Sequence, residues 1–358
     1  MAKRSTPAEP WLFEDAAPPP PVQAAPPPPA TVDLAASLSP LVHLGTSWWA
    51  FPGWNRLVFA AAHTESELAR HGLHAYAGHP LFRTVGLDRA FYRPLREEEY
   101  AQLSRHVPPG FRFVVKAFQG LTRPIADERG RTHGSTSSLG TQTANPVFLD
   151  PNYALDQVIG PASRGLGAAA GPIVFQFPPL RFGKRQRVGT ISKFLDALGE
   201  FLARLPKDPL VTIELRNAEV LEKHSPEYVK AVAGNGCLHG FAWHPSMPPI
   251  DRQRELLGQA GMDPCQRPLS VRWLLRHELD YADASEEFTP FDRIVRADEA
   301  ARSQIASLVE AATALGNPAF IIVNNKAEGS APLTVERLAR LIASRGTASP
   351  DAPPPPQG

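Results

Sequence analysis

The sequence predicts an α/β fold, a TIM-type (β/α)8 parallel barrel with disordered proline-rich tails at both ends, and three observations carry that prediction. Eight short apolar runs of strand length recur between residues 42 and 326, with helix-like segments between most of them. The repeats occupy about 300 residues, the span of a parallel barrel in which every strand needs a crossover helix on the outside. The first run leads into Ser47, Trp48, Trp49, Ala50, Phe51, Pro52 and Gly53, where an open doubly wound sheet would place a GxGxxG phosphate loop.

In order, the predicted strands are VHLGTS (42–47), TVGLD (84–88), FRFVVKA (111–117), PIVFQFPP (172–179), VTIELR (211–216), HGFAWHP (239–245), LSVRWLL (269–275) and FIIVNNK (320–326). Helical periodicity marks REEEYAQLSRHV before the third and ISKFLDALGEFLARL after the fourth. It also marks SPEYVKAVAG after the fifth, SQIASLVEAATALG before the eighth and LTVERLARLIA after it. A single barrel domain is therefore expected over 40–346, interrupted by an inserted loop at 121–151 that is rich in Gly, Ser, Thr and Arg. Residues 1–39 contain PPPP twice and 347–358 contain it once, so both ends read as disordered tails.

Composition narrows the class. With 43% apolar and 20% charged residues the chain of 358 can bury a large core, and a net charge of +1 argues against the dense basic field of non-specific nucleic-acid binding. Cys237 and Cys265 are too few for a disulfide framework or a four-cysteine zinc site, and read as free thiols. No run approaches the roughly 20 apolar residues of a membrane span, and prolines stand where a signal core would lie. A cytoplasmic location, with no membrane partner, is the expectation.

Ligands meet such barrels at the C-terminal strand ends. Val211, Ile213 and Leu215 alternate with Thr212, Glu214 and Arg216, so one face of that strand packs while Glu214 and Arg216 point toward the mouth. The same period places Asp88, Lys116, Gln176 and Arg272 near their strand ends, with His244, Asn324 and Asn325 in equivalent positions. Lys116, Arg216 and Arg272 could simply neutralise Asp88 and Glu214 in a buried network. Three cations against two anions favour an anionic ligand instead.

Seven stretches carry a family resemblance: LGTSWWAFPGW (44–54), FRTVGLDRAFYRP (82–94), PPGFRFVVKA (108–117), GPIVFQFPP (171–179), TIELRNAEV (212–220), LSVRWLLR (269–276) and IIVNNKAEGSAPLTVERL (321–338). In this order the sequence resembles the domain of unknown function 72, or YecE-like, family, which implies a TIM-barrel fold and assigns no reaction. The chain departs from the family pattern at Gly86, where the family usually has the glutamate of TVE, and at Thr122 and Arg123, in place of threonine–histidine. It departs again near Val220, where a tryptophan is replaced, and around Arg272, where an arginine–histidine–glycine run is loosened.

The residues point to an enzyme acting on a small phosphorylated or carboxylated compound, with Arg216 and Arg272 as forked anion ligands and Lys116 as a point charge or amine nucleophile. Glu214 is the expected acid–base, while Gln176, Asn325 and Asp88 orient the substrate. Trp48, Trp54 and Tyr92, with Phe91, are expected to wall the pocket. Asp88, Glu214 and His244 lack a metal-site spacing, and neither a metal nor a cofactor is expected. The alternative is a non-catalytic binder of a regulatory anion or, less favoured, of a nucleic-acid backbone stacked on Trp48, Trp49 and Trp54, with the 121–151 insertion as a lid or phosphate-gripping loop.

Overall fold

The computed structural model describes residues 22–126, 143–184 and 188–346. Eight parallel strands form a closed barrel: β1 (Val42–Thr46), β2 (Thr84–Leu87), β3 (Arg112–Lys116), β4 (Ala170–Gln176), β5 (Val211–Glu214), β6 (Leu238–Trp243), β7 (Leu269–Trp273) and β8 (Ala319–Val323). Each strand pairs with its neighbour in sequence and β8 closes onto β1, with Val42 opposite Ala319 and Thr46 opposite Val323. The predicted architecture is therefore the observed one.

Period two sorts the side chains of each strand. Phe113, Val115, Ile173, Phe175, Ile213 and Leu215 are buried in the main core that joins the barrel wall to its helices. Val114, Val174, Phe320 and Ile322 form a separate small cluster, with Leu210 packed on it. These residues have the opposite parity on β3, β4 and β8, so they plug the inside of the barrel. Farther along the same inward faces come Lys116 and Gln176, and Gln176 lies in register with Glu214.

The helices that follow obey local chemistry. Thr190 caps Ile191–Ala203 by accepting from the Lys193 amide. The helix expected to start at 225 begins earlier, at Ala218, and kinks at His224, whose φ of −136° breaks the run just ahead of Pro226. After β8 the chain is anchored by a buried ion pair. Glu328 is fully buried, accepts the Asp298 amide at 2.6 Å and pairs with the guanidinium of Arg302. Asp298 in turn caps Glu299–Ala314 and accepts the Trp243 indole at 3.0 Å. Burial moves the Glu328 carboxyl above its ordinary range despite Arg302 beside it.

The expected N-terminal boundary moves upstream. Residues 1–21 and 347–358 lie outside the described residues, but 22–39 packs on the barrel, against the expectation of a tail reaching 39. Val22, Ala25, Ala35 and Leu38 are buried, and a helix runs from Pro29 to Ser37 with proline in its first turn, where the missing amide costs nothing. Arg83 donates to the carbonyls of Ala35 and Ser39, both at 2.8 Å. The prolines obscured a segment whose apolar residues have partners. Deleting residues 1–39 is therefore expected to lower stability by roughly 3 kcal/mol or more, from Val22 and Leu38 alone at about 1.5–3 kcal/mol each. Urea midpoints of the full chain and of the chain lacking 1–39 provide the check, and equal midpoints would refute this.

Candidate functional site at the barrel mouth

Glu214 ends β5 with no exposed surface, and its neighbour across the sheet makes room for it. A Cβ on Gly240 would come 2.9 Å from the Thr212 methyl and 3.1 Å from the Glu214 Cβ, so a larger residue would push the carboxylate stem aside. Arg272 Nη1 donates to both Glu214 oxygens, at 3.0 and 3.1 Å, and to Gln176 Oε1 at 3.3 Å. Arg216 forms a second ion pair with Glu214 Oε1 and donates to the Leu215 carbonyl at 3.2 Å. Burial alone would raise the Glu214 carboxyl, but Arg216, Arg272 and Lys116 outweigh it and hold it below the usual range. It stays ionised.

Asp88 stands 3.8 Å from Arg272 Nη2 and is about a third exposed, at the outer edge of the cluster. Lys116 has neither an ion pair nor a hydrogen bond among the described residues; its ammonium sits 3.6 Å above the Phe91 ring. Burial lowers it to about 8, with Asp88 pulling the other way and Arg272 adding to the fall. His244 bonds Ser246 Oγ at 2.8 Å, and burial followed by Arg216 lowers it to about 4, so its ring is neutral at pH 7. Asp88, Lys116, Gln176, Glu214, Arg216 and Arg272 thus come from four strands and two strand ends into one contiguous cluster.

Other expected members go elsewhere. Asn325 is buried, its side-chain oxygen accepting the Trp54 indole at 3.2 Å and the Ala331 amide at 2.8 Å, so it ties the loop after β8 to the core. Its neighbour Asn324 bonds Ser47 Oγ at 3.0 Å. Trp54 is fully buried and belongs to the core, which corrects its expected place in the pocket wall. Trp48 is half-buried and stacks on Trp49 at 3.8 Å, whereas Tyr92 is exposed.

The barrel end also carries residues that sequence reasoning missed. Gln119, just past β3, is buried with neither amide atom bonded among the described residues. Tyr281 and Lys326 meet at the rim, the ammonium 4.1 Å from the ring centre. Lys326 ended the eighth predicted strand and Tyr281 lay six residues past the seventh, and neither stood out there. Of the insertion at 121–151, residues 127–142 lie outside the described residues; its base is tied by Asn145, which donates to the Gly120 and Arg123 carbonyls at 2.6 Å each.

Among the described residues, no three His, Cys, Asp or Glu come together as a metal-binding group, so Asp88, Glu214 and His244 do not form a ligand set. No helix among them is long and apolar enough to cross a membrane.

A family model described as "Protein of unknown function DUF72" matches residues 43–358. The chain belongs to the DUF72 family. A crystal structure of a DUF72 family protein from Enterococcus faecalis V583 is similar at 16% identity with a TM-score of 0.52, covering 88% of this chain and all of the other. A second crystal structure of a DUF72 family protein from that organism gives 15% identity and a TM-score of 0.45 over 77% of this chain and 94% of the other. At 16% identity the first likeness speaks to the barrel alone. A search among curated proteins found no match.

Within this DUF72 chain, Gly86 faces the barrel interior one pleat below Asp88, where the family resemblance implies a carboxylate. A Cβ at Gly86 would stand 3.0 Å from the Ser47 carbonyl oxygen and 3.1 Å from its Cα. With glycine there, Lys116, Arg216 and Arg272 share two carboxylates, those of Asp88 and Glu214.

Proposed function

We propose that the barrel mouth binds a small phosphorylated or carboxylated compound and that Lys116 performs acid–base chemistry on it. The supporting observation is the Lys116 ammonium, held beside two guanidiniums without a hydrogen-bond or ion-pair partner among the described residues. A partly buried cation in that setting is stabilised by an incoming anion, and an amine near pH 8 exchanges its proton readily at neutral pH. The acid–base role passes from Glu214, which two arginines keep ionised, to Lys116. Glu214 then acts as the clamp that holds both guanidinium forks in place, and Gln176 shares in orienting Arg272.

Titration calorimetry with inorganic phosphate and sulfate tests the reading. Sulfate, which unlike phosphate keeps its charge across this range, is expected to bind more weakly as pH rises from 7 to 9, because the folded-state lysine, lowered to about 8, loses its charge across that window. Lys116→Met should abolish this dependence. Arg272→Ala should weaken phosphate by about 1.5–3 kcal/mol, the scale of a hydrogen bond to a charged group, and Arg272→Lys should restore little because the fork is lost. Sulfate affinity that is flat from pH 7 to 9, or equal in wild type and Lys116→Met, would refute it.

A further inference from the structure

Directly outside the cationic cluster the chain displays aromatic rings to solvent. Among the described residues the two aromatic side chains that stand well out are Tyr92, 58% exposed, and Tyr281, 68% exposed. They follow β2 and β7, and both lie at the C-terminal end of the barrel. Tyr92 continues the site without a break: it meets Phe91 edge-on at 5.4 Å, and Lys116 sits on the face of that same Phe91. Tyr281 carries the Lys326 ammonium at 4.1 Å, and Lys326 is itself buried, with Phe291 5.5 Å away. The two tyrosines are close enough to feel each other: burial, then Asp88 and then Tyr281 raise the Tyr92 phenol above its ordinary value.

A single exposed ring is ordinary on a protein surface, but these two stand near each other and within reach of a basic floor. A compound whose anionic group rests against Lys116 and Arg272 extends its remaining atoms outward past Tyr92 and Tyr281. Flat rings stack on tyrosine faces whatever their hydrogen-bonding edges, and a cation behind the tyrosine, as Lys326 is behind Tyr281, leaves the outer face for the ligand. We infer that Tyr92 and Tyr281 form a stacking rim for a planar heteroaromatic ring, so that the compound bound at the mouth is a nucleoside phosphate or a close chemical equivalent. This rests on the anion site proposed above, and it assigns the rim a role in choosing among anions.

The full-length protein titrated at pH 7 with inorganic phosphate, ribose 5-phosphate and adenosine 5′-monophosphate tests the inference. The nucleotide is expected to bind at least about tenfold more tightly than ribose 5-phosphate, within the usual range for one base stacked on one aromatic side chain. Tyr281→Ala and Tyr92→Ala should each reduce that preference, and Tyr281→Phe should keep it. Both tyrosines are exposed, so these variants fold, and Leu315→Ala, at a distant exposed position, should match wild type. Equal affinity for the nucleotide and ribose 5-phosphate, with phosphate still bound, overturns the stacking rim alone. A nucleotide preference that survives both alanine variants also overturns it. Failure of all three probes to bind overturns the anion site and the rim together.

Discussion

Glu214→Gln is expected to lower stability by about 3–5 kcal/mol, the cost of leaving buried charge without its counter-ion. Arg216 and Arg272 have side chains only 6% and 7% exposed, and Glu214 is the carboxylate they share. An amide of the same shape keeps the packing and one acceptor but removes the charge that both guanidiniums need. Acid unfolding adds a second signature. A carboxyl held below its ordinary value in the folded state contributes stability that is present above the unfolded pKa and is lost as pH falls through the folded one. Wild type should therefore lose stability steeply on the acid side, and Glu214→Gln should lose much less of it there. Urea midpoints for the two proteins between pH 3 and 7 provide the check, and a variant as stable as wild type at pH 7 would show that the arginines do not depend on Glu214.

Arg302→Ala is expected to cost a similar amount, about 3–5 kcal/mol at pH 7, with the opposite pH trend. Here the survivor is a carboxylate with no exposed surface, and one of its oxygens already lacks a partner among the described residues. Burial holds the Glu328 carboxyl above its ordinary range, so its contribution is fully present below the unfolded pKa and is lost as pH rises through the folded one. Removing Arg302 strengthens that trend. The gap between variant and wild type should narrow as pH falls, because the protonated Glu328 carboxyl is neutral and no longer needs a guanidinium. A gap that widens in acid would contradict the assignment.

These two ion pairs were unequally legible in the sequence. Glu214, Arg216 and Arg272 stood out because an apolar strand gives an inward position to a charge only where that charge meets a counter-ion or a ligand, and the barrel brings such positions to one end. Arg302 and Glu328 gave no such sign, since a charge in a helix or loop is ordinarily solvated, and only packing of Glu299–Ala314 against the loop after β8 buries them. The strands were legible for a related reason: a wall buried on both sides writes near-continuous apolar runs. Depth was not. Trp54 and Tyr92 are both aromatic residues beyond strand ends, yet one is fully buried and the other 58% exposed, a difference set by which loop folds over them. Asn324 and Asn325 were likewise indistinguishable until the chain turned into the short helix at Asn325–Ala327, which sends the second asparagine to the Trp54 indole. Tyr281 was hidden in a polar stretch with no periodic signal, and Val22 and Leu38 by the prolines around them.

The setting of Lys116 has a chemical consequence beyond catalysis. With its ammonium lowered to about 8, about one molecule in ten carries a free amine there at pH 7, against fewer than one in a thousand for an ordinary lysine. Acylating and arylating reagents attack only the unprotonated form, so at neutral pH this one side chain competes for them far above its share of the protein's lysines. The barrel mouth therefore carries a lysine whose charge, unlike that of an ordinary lysine, answers to pH close to neutrality.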